Sequence, residues 1–406
     1  MEAFLCFIIL GGNNILFSMT LLIGLGLVIS LIFRKIKLPS LMGYLGLGFL
    51  LGPYGFNLFP AEFLIWSADI RKLALVIILI RAGLSINFKD IQRVGRPALC
   101  LSFLPATFEI ILAGFLGPWL LGLPLVDAFL LGTIIAAVSP AIVVPRMIQM
   151  MDEGLGQKNR IPQIILAGAS LDDIFVLVVF SAGVTLKQTG IFSWFSILSV
   201  PVSIILGILL GYLLGKIVSG IIDKYTLEPL YATVLIFVVS LVCIMVEDYS
   251  QHWVSGLLAI IMLNSVARIS DPIQGEAYKA SFNKAWFLAE MFLFTLVGCQ
   301  LDLQQAFDFG WLPIVFIVLT SLWRMVGVYL SVSKTSLQMS ERIFVMGAYL
   351  PKATVQAAIG SIPLALGFST GYLILTVSIL EILITAPIGA WWIDLTKDRL
   401  LDQDLS

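Results

Sequence analysis

The sequence predicts an all-α polytopic membrane protein, and three observations support that prediction. Apolar residues make up 59% of the 406 residues, charged residues make up only 12%, and the mean hydropathy is +1.03. A soluble domain carries roughly twice that charged fraction. Charged and Gly/Pro-rich loops divide the chain into apolar segments of about 20 residues, which is the length that an α-helix needs to cross a bilayer. The net charge of −1 offers no surface for nucleic acid.

Thirteen apolar segments follow one another along the chain. They cover residues 14–33, 41–57, 71–88, 97–121, 127–149, 161–186, 192–219, 229–246, 253–268, 284–302, 310–333, 341–363 and 371–395. The preceding residues 1–13 are apolar but have neither a basic stretch nor a small-residue cleavage site. We expect them to form a re-entrant or interfacial piece, or the first turns of the first helix, and not a cleaved signal.

The basic residues predict how these segments cross the membrane. If the N-terminus is outside, the loop lysines and arginines fall on the inner side, and only Arg71, Lys72 and Lys187 fall at outer ends. Basic residues collect in the cytoplasmic loops of membrane proteins, and a missed or extra helix would scramble this segregation. The sequence therefore predicts thirteen spans in a cell membrane, inner or plasma, with the N-terminus outside and the C-terminus cytoplasmic.

Thirteen spans allow two six-helix repeats of opposite orientation within one membrane domain that covers residues 1–406. The repeats are residues 14–186 and 229–395, and the helix at 192–219 links them. Proline interrupts the fifth helix of each repeat, in the sequences AAVSPAIVVP and YLPKATVQAAIG. The sequence thus predicts two discontinuous helices at matching positions, which the inverted symmetry would make cross.

The interruptions predict a binding site. Pro140, Pro145 and Pro351 remove backbone donors and disrupt the helical hydrogen bonds. Bare backbone at membrane depth is tolerated only where it is buried in protein or lines a wet cavity. Interrupted helices at matching positions of two inverted repeats indicate the substrate site of a transporter. The alternative is a pair of ordinary proline kinks.

An acidic pair lies where lipid does not tolerate charge. Asp172 and Asp173 fall near the middle of the sixth segment, in GASLDDIFVLVVFS, and a charge at the bilayer centre is expensive. Adjacent helical residues point about 100° apart, so one carboxylate can face a partner while the other faces a cavity. Such a carboxylate binds either a proton or a hard cation. This competition is the chemistry of antiport.

Basic residues within the spans need partners. Arg324, in the eleventh segment, cannot neutralise itself by losing a proton. Glu109 is the first candidate partner and Asp172 the second, and we predict a structural ion pair between Glu109 and Arg324 that bridges the two repeats. Lys352, beside Pro351, either lies against the carbonyl end of a half-helix or extends to the inner interface.

Other charged residues fall near helix ends or within spans. We expect Arg81, near the inner end of the third segment, to extend to the interface or to pair locally. Glu290 either lines the inner approach to the site or pairs with a basic loop residue, and Glu381 also lies within a span. Three acids fall at predicted helix ends, where we expect them to be solvated: Asp127, Asp248 and Asp394.

Several of these motifs together resemble the cation/proton antiporter superfamily over nearly the whole chain. The sequences LPSLMGYLGLGFLLGP and ITAPIGA resemble it loosely, whereas RAGL, AVSPAIVVP and PKATVQAAIG resemble its NHA-type sodium/proton antiporter branch. The resemblance implies an NhaA-like antiporter fold and a homodimer formed through a dimerisation panel. It also implies a six-helix core, about residues 97–186 and 310–395, which carries the ion across in an elevator-type step of alternating access.

The resemblance also implies roles for the site residues. It makes Asp173 the ion-binding aspartate, Asp172 its neighbour and Arg324 the pairing base. Many electrogenic members have lysine in place of Arg324, and arginine cannot release a proton, which favours one proton per sodium or lithium. The adjacent acids, in contrast, are the pattern of the electrogenic group. Ser139 stands where many bacterial relatives have an acid, and it can serve with Thr354 as a neutral cation ligand.

These observations predict a secondary antiporter that exchanges Na⁺ or Li⁺ for H⁺ and needs no cofactor beyond the transported ions. The alternatives are a sodium-coupled symporter of an organic solute on a similar inverted-repeat fold and a K⁺/H⁺ antiporter. A channel is disfavoured because the chain has no pore-loop filter. An enzyme is disfavoured because an intramembrane hydrolase would need a Ser/His or metal constellation, and His252 is the single histidine.

Overall fold

The computed structural model describes residues 15–36, 38–85, 95–189, 194–250, 253–302, 304 and 308–401. The regular secondary structure elements in these ranges are all α-helices. The expectations for residues 1–13 and for His252 lie outside the described residues.

The helices are numbered in chain order. The first nine are α1 (Ile15–Lys35), α2 (Ser40–Leu51), α3 (Ala61–Ile65), α4 (Ser67–Ser85), α5 (Arg96–Leu101), α6 (Leu104–Leu120), α7 (Leu125–Ala136), α8 (Pro140–Asp152) and α9 (Ile161–Thr189). The others are α10 (Trp194–Tyr225), α11 (Pro229–Tyr249), α12 (Gly256–Ser270), α13 (Pro272–Gly298), α14 (Leu312–Val332), α15 (Met339–Ala348), α16 (Thr354–Ile359), α17 (Ile362–Ala365) and α18 (Gly371–Leu400).

The helices pack into two bundles. In the first, which we call the site-bearing bundle (α5–α9 and α14–α18), α6 lies against α7 and α14, and α18 lies against α15 and α16. In the second, the flanking bundle (α1–α4 and α10–α13), α13 lies against α2 and α4, and α12 lies against α10. The bundles meet where α9 contacts α10 and α12 and where α16 contacts α4 and α13.

The helices identify a multi-pass integral membrane protein. Among the described residues, eight helical segments are long and apolar enough to cross a membrane, and shorter apolar helices lie at Ser40–Leu51, Gly256–Ser270 and Thr354–Ala365. Each of the thirteen predicted segments coincides with at least one helix of the structure. That all thirteen cross the membrane stays a prediction, as does the orientation of the termini.

Two predicted boundaries were wrong for local reasons. The segment predicted to run to residue 57 ends at Leu51, because Pro53 follows and the chain turns back, so that Leu58 N–H donates to the Leu51 carbonyl at 2.9 Å. The segment predicted to begin at residue 284 begins at Pro272, where Asp271 accepts hydrogen bonds from two backbone N–H groups. The lysines in the first half of this helix explain the error, because charged residues predict a loop between apolar segments.

Glycines allow α2 and α13 to pack backbone to backbone. A Cβ atom added at Gly48 would lie 1.9 Å from the carbonyl oxygen of Thr295, and one added at Gly298 would lie 2.2 Å from that of Leu45. Small residues at helix contacts let membrane helices approach closely. Because backbone rather than flexible side chain is in the way, neither helix can accommodate a larger residue without moving.

This contact predicts a sharp difference between two glycines of α2. We expect Gly48→Ala to lower the free energy of unfolding by about 1–3 kcal/mol, which is the typical cost of overpacking. Gly46→Ala is the matched control, because a Cβ at Gly46 has no neighbour within 4 Å. Thermal unfolding of the two purified variants in detergent measures the effect. Equal melting temperatures would contradict the packing described for α2 and α13.

Candidate ion-binding site

Two interruptions meet inside the site-bearing bundle. The first break, residues 137–139, separates α7 from α8, and the second break, residues 349–353, separates α15 from α16. The backbone N–H of Ser139 donates to the carbonyl of Pro351 at 2.8 Å, so the two breaks lie directly against each other. Pro140 and Pro351 thus lie where the helices stop, whereas the prediction that Pro145 interrupts a helix was wrong, because Pro145 lies inside α8.

The first break leaves carbonyl groups that need donors. The last turn of a helix has unpaired carbonyls and a partial negative charge, and here these are the carbonyls of residues 135–137. Lys352 and Arg324 donate to the first two, and Gln356 Nε2 donates to the third at 2.8 Å. Lys352 is completely buried. The alternative that it extends to the interface is therefore wrong.

The same two cations hold a network of buried ion pairs. Arg324 lies 3.1 Å from Glu109 Oε2 and 2.9 Å from Asp172 Oδ2. Lys352 Nζ lies 2.6 Å from the same oxygen of Glu109. No side chain among these four is more than 1% exposed. Arg324 thus contacts both of the acids that the sequence offered, and Glu109 is shared between two cations.

The two aspartates of α9 have different surroundings, as their 100° separation predicts. Asp172 Oδ2 accepts from Arg324 and also from the backbone N–H of Val138 in the first break, at 2.9 Å. Asp173 takes part in none of the ion pairs among the described residues. Its Oδ1 is buried and has no hydrogen-bond partner in the same part of the chain. Asp172 is therefore engaged, whereas Asp173 is available to an ion.

A cavity of about 1290 Å³ leads to Asp173. Pro140 and Thr354, the first residues of the two half-helices that follow the breaks, line it, and it extends to the exposed residues Arg160 and Glu276. The hydroxyl of Thr354 has no hydrogen-bond partner within the described residues. The same is true of the Ser139 hydroxyl, but Ser139 does not line the cavity.

The side of Asp173 away from this cavity is closed by apolar packing. A space of only about 10 Å³, at the lower limit for a single water molecule, lies between helices of the two bundles there. Its apolar lining includes Leu75, Leu79, Leu177 and Ile359. Asp173 is therefore open to one face of the protein in this conformation.

The flanking bundle contributes charged residues to the cavity wall. Arg81 Nε donates to Asn283 Oδ1 at 2.8 Å, and its guanidinium lies 5.1 Å from the ring centroid of Trp286. The expectation that Arg81 pairs locally was wrong, because its partners lie on α13, about two hundred residues away; its extension to the interface stays a prediction. Glu290 lines the same cavity, in agreement with the first of its two predicted alternatives.

Asp127 is not solvated, contrary to the sequence-based expectation. Its side chain is completely buried, 2.8 Å from Lys187 Nζ and 2.9 Å from Thr370 Oγ1. The sequence placed it correctly at a helix start but gave no sign that α9 and α18 close over it. At the other end of α18, Asp394 accepts two hydrogen bonds from Arg146 of α8, at 2.9 and 3.0 Å. The helices on both sides of the first break, α7 and α8, thus contact α18 or the residue that precedes it.

Sequence reasoning missed Gln356. This side chain is 1% exposed and closes the carbonyl end of α7. The signal was present, because the stretch PKATVQAAIG places a polar amide inside an apolar segment and directly after a predicted break. A buried amide of this kind needs partners, and unpaired carbonyls at a predicted break are the natural ones.

A multi-pass helical bundle with broken helices and an available carboxylate at the end of a cavity is an ion-coupled transporter by class. The chain belongs to the sodium/hydrogen exchanger family, because the family model "Sodium/hydrogen exchanger, transmembrane" matches residues 19–395. The membership confirms the resemblance to the cation/proton antiporter superfamily. It also agrees with the expectation of a transporter rather than an enzyme.

Individual relatives support the same assignment. Sodium/hydrogen exchanger 9B2 of Homo sapiens is 30% identical over 382 residues, covering 90% of this chain and 70% of that protein. Sodium/hydrogen exchanger 9B1 of Mus musculus is 32% identical over 390 residues, covering 90% and 66%. The sodium proton antiporter MjNhaP1 of Methanocaldococcus jannaschii shares the fold, with a TM-score of 0.82 at 19% identity over 95% of this chain and 98% of that one.

The ion-pair network predicts that Glu109 is essential for stability. Glu109→Gln leaves Arg324 and Lys352 without their shared carboxylate, and breaking a buried pair in this way costs about 3–5 kcal/mol. The control is Glu276→Gln, because Glu276 bonds Arg268 at 2.5 Å with its side chain 57% exposed, and exposed pairs contribute about 0–1 kcal/mol. Thermal unfolding compares the two. A Glu109 variant as stable as the control would contradict a stabilising role of the network.

Proposed function

We propose that this chain is a secondary antiporter that exchanges Na⁺ or Li⁺ for H⁺, with Asp173 as the exchangeable site. The observation that carries the proposal is the unequal environment of the two aspartates. Arg324 forms an ion pair with Asp172, and the Val138 N–H donates to the same carboxylate, whereas Asp173 lines a cavity with one oxygen unpartnered among the described residues. A carboxylate in that position binds a cation only when it has released its proton. The exchange of one for the other follows from this competition.

The remaining ligands of the cation come from the two breaks. Hard monovalent cations prefer carboxylate, hydroxyl and carbonyl oxygens. Thr354 offers its hydroxyl in the cavity wall, and Ser139 can join once the bundle moves, since its hydroxyl is buried and unpartnered within the described residues. Asp172 assists from the next position along α9, where its negative charge favours a cation at Asp173.

The basic residues of the site keep their protons, so the transported proton must be carried by an acid. Arg324 cannot release a proton, and Lys352 is held between Glu109 and a backbone carbonyl. Asp172 is held in turn by Arg324. We therefore propose one proton per cation, carried by Asp173. Charge movement on a solid-supported membrane measures this stoichiometry, and a sustained transport current would argue against it.

Alternating access on this fold requires one bundle to move relative to the other. We propose that the site-bearing bundle is the moving core and that the flanking bundle forms the panel of a homodimer, in an elevator-type step. The proposal is supported by the cavity between the bundles on one side of Asp173 and the apolar packing on the other. Thirteen spans in two inverted repeats, with the N-terminus outside, complete the proposed topology. The contact of α6 with α14, the fourth spans of their repeats, favours it.

The central test is cation-driven proton movement in proteoliposomes. We expect Asp173→Asn to abolish cation-driven proton movement, because an amide can neither bind a proton in the physiological pH range nor compensate the charge of a cation. Asp248→Asn is the control, since Asp248 is 58% exposed and, within the described residues, forms its ion pair with Lys72 at 3.6 Å. Exchange by the Asp173 variant at the wild-type rate would refute the assignment.

The same assay separates the alternative functions when Na⁺, Li⁺ and K⁺ are supplied in turn without any organic solute. Proton movement driven by Na⁺ or Li⁺ supports the proposal. A response to K⁺ alone would indicate the K⁺/H⁺ antiporter. Sodium flux that depends strictly on an added organic solute would indicate the symporter.

A further inference from the structure

A further buried carboxyl group lies near the ion site without joining its contacts. Glu381 of α18 is completely buried. Its Oε1 accepts a long hydrogen bond of 3.5 Å from Ser321 Oγ, and its Oε2 has no partner among the described residues. None of the ion pairs in that part of the chain includes Glu381. It also does not line the cavity that leads to Asp173.

The cations near Glu381 are already engaged elsewhere. Three charged groups lie within electrostatic range of it: Lys352 in the second break, Glu109 on α6 and Arg324 on α14. Arg324 donates to two carboxylates and two backbone carbonyls, and Lys352 donates to Glu109 and one carbonyl. An ionised Glu381 would be a buried charge without a counter-ion of its own. Proteins avoid that state by keeping the carboxyl group neutral.

The charge of the whole buried cluster gives the same answer. The cluster contains four acids and two bases: Glu109, Asp172, Asp173, Glu381, Arg324 and Lys352. If every group is ionised, four negative and two positive charges sum to −2. One monovalent cation at Asp173 leaves −1, and one proton on Glu381 brings the sum to zero.

We propose that Glu381 is a resident proton site: a carboxylic acid that stays neutral throughout the transport cycle and keeps its proton when a cation binds. The inference rests on the proposed function only for the ion at Asp173. With the resident proton in place, the cluster is neutral when Asp173 holds either one H⁺ or one Na⁺, and it carries one negative charge when Asp173 is empty. Moving a net charge through a low-dielectric region is costly. Both loaded forms can therefore cross, whereas the empty form cannot, which couples the two ions.

Infrared spectroscopy of the purified protein tests the proton directly. At mildly alkaline pH, we expect a carbonyl stretching band of a protonated carboxyl group that shifts when the protein is made with ¹³C-labelled glutamate. Adding Na⁺ should leave this band unchanged, and Glu381→Gln should remove it. A band that disappears with Na⁺, or no such band that depends on Glu381, would overturn the proposal. The readout does not require transport, so it remains interpretable if the proposed antiport is wrong.

Stability supplies a second arm through a matched pair of amide variants. Glutamine has the shape of a neutral glutamic acid, so Glu381→Gln should keep the wild-type melting temperature, whereas Glu109→Gln should not. A Glu381 variant that fails to fold, or loses as much stability as the Glu109 variant, would show that Glu381 is ionised. In proteoliposomes, the number of protons moved per Na⁺ should be the same with and without Glu381. A change in that ratio would mean that Glu381 exchanges its proton.

Discussion

The carbonyl end of α7 is the constraint on which the rest of the site depends. A helix that stops inside a membrane leaves peptide carbonyls that no water can satisfy, and each unsatisfied group costs several kcal/mol. Here Lys352, Arg324 and Gln356 supply the donors. Two of these donors are charged, so pairing the carbonyls places positive charge inside the membrane. That charge must be compensated by acidic side chains. Glu109 and Asp172 meet that need.

This chain of requirements leaves Asp173 in a distinct position. Asp172 is drawn toward Arg324 and the first break, and helix geometry then turns the next side chain to the cavity. Two acids and two bases thus form a balanced network of ion pairs, and Asp173 lies beside it without joining any of these pairs. The acidic pair therefore consists of one carboxylate held in the ion-pair network and one that lines the cavity, which is the arrangement that the proposed exchange requires.

The sequence predicted the fold class, the positions of both breaks and the partners of Arg324, because each follows from a strong local rule. Proline disfavours a continuous helix, and a charge in the membrane needs a counter-charge. It could not predict features that depend on how distant helices close over one another. Asp127 seemed solvated because its burial is created by Lys187 and Thr370 from other helices. Arg81 seemed local because Asn283 and Trp286 reach it only in the folded chain.

The ties to α18 have a mechanical consequence. A helix interrupted in three residues would ordinarily bend there, and α7 and α8 could rock independently. Asp127 fastens α7 to Thr370 at the beginning of α18, and Arg146 fastens α8 to Asp394 near its end. Helix α18, thirty residues long, thus bridges the first break. Because one helix contacts the segments on both sides of the first break, we expect α7 and α8 to move together rather than to bend about residues 137–139.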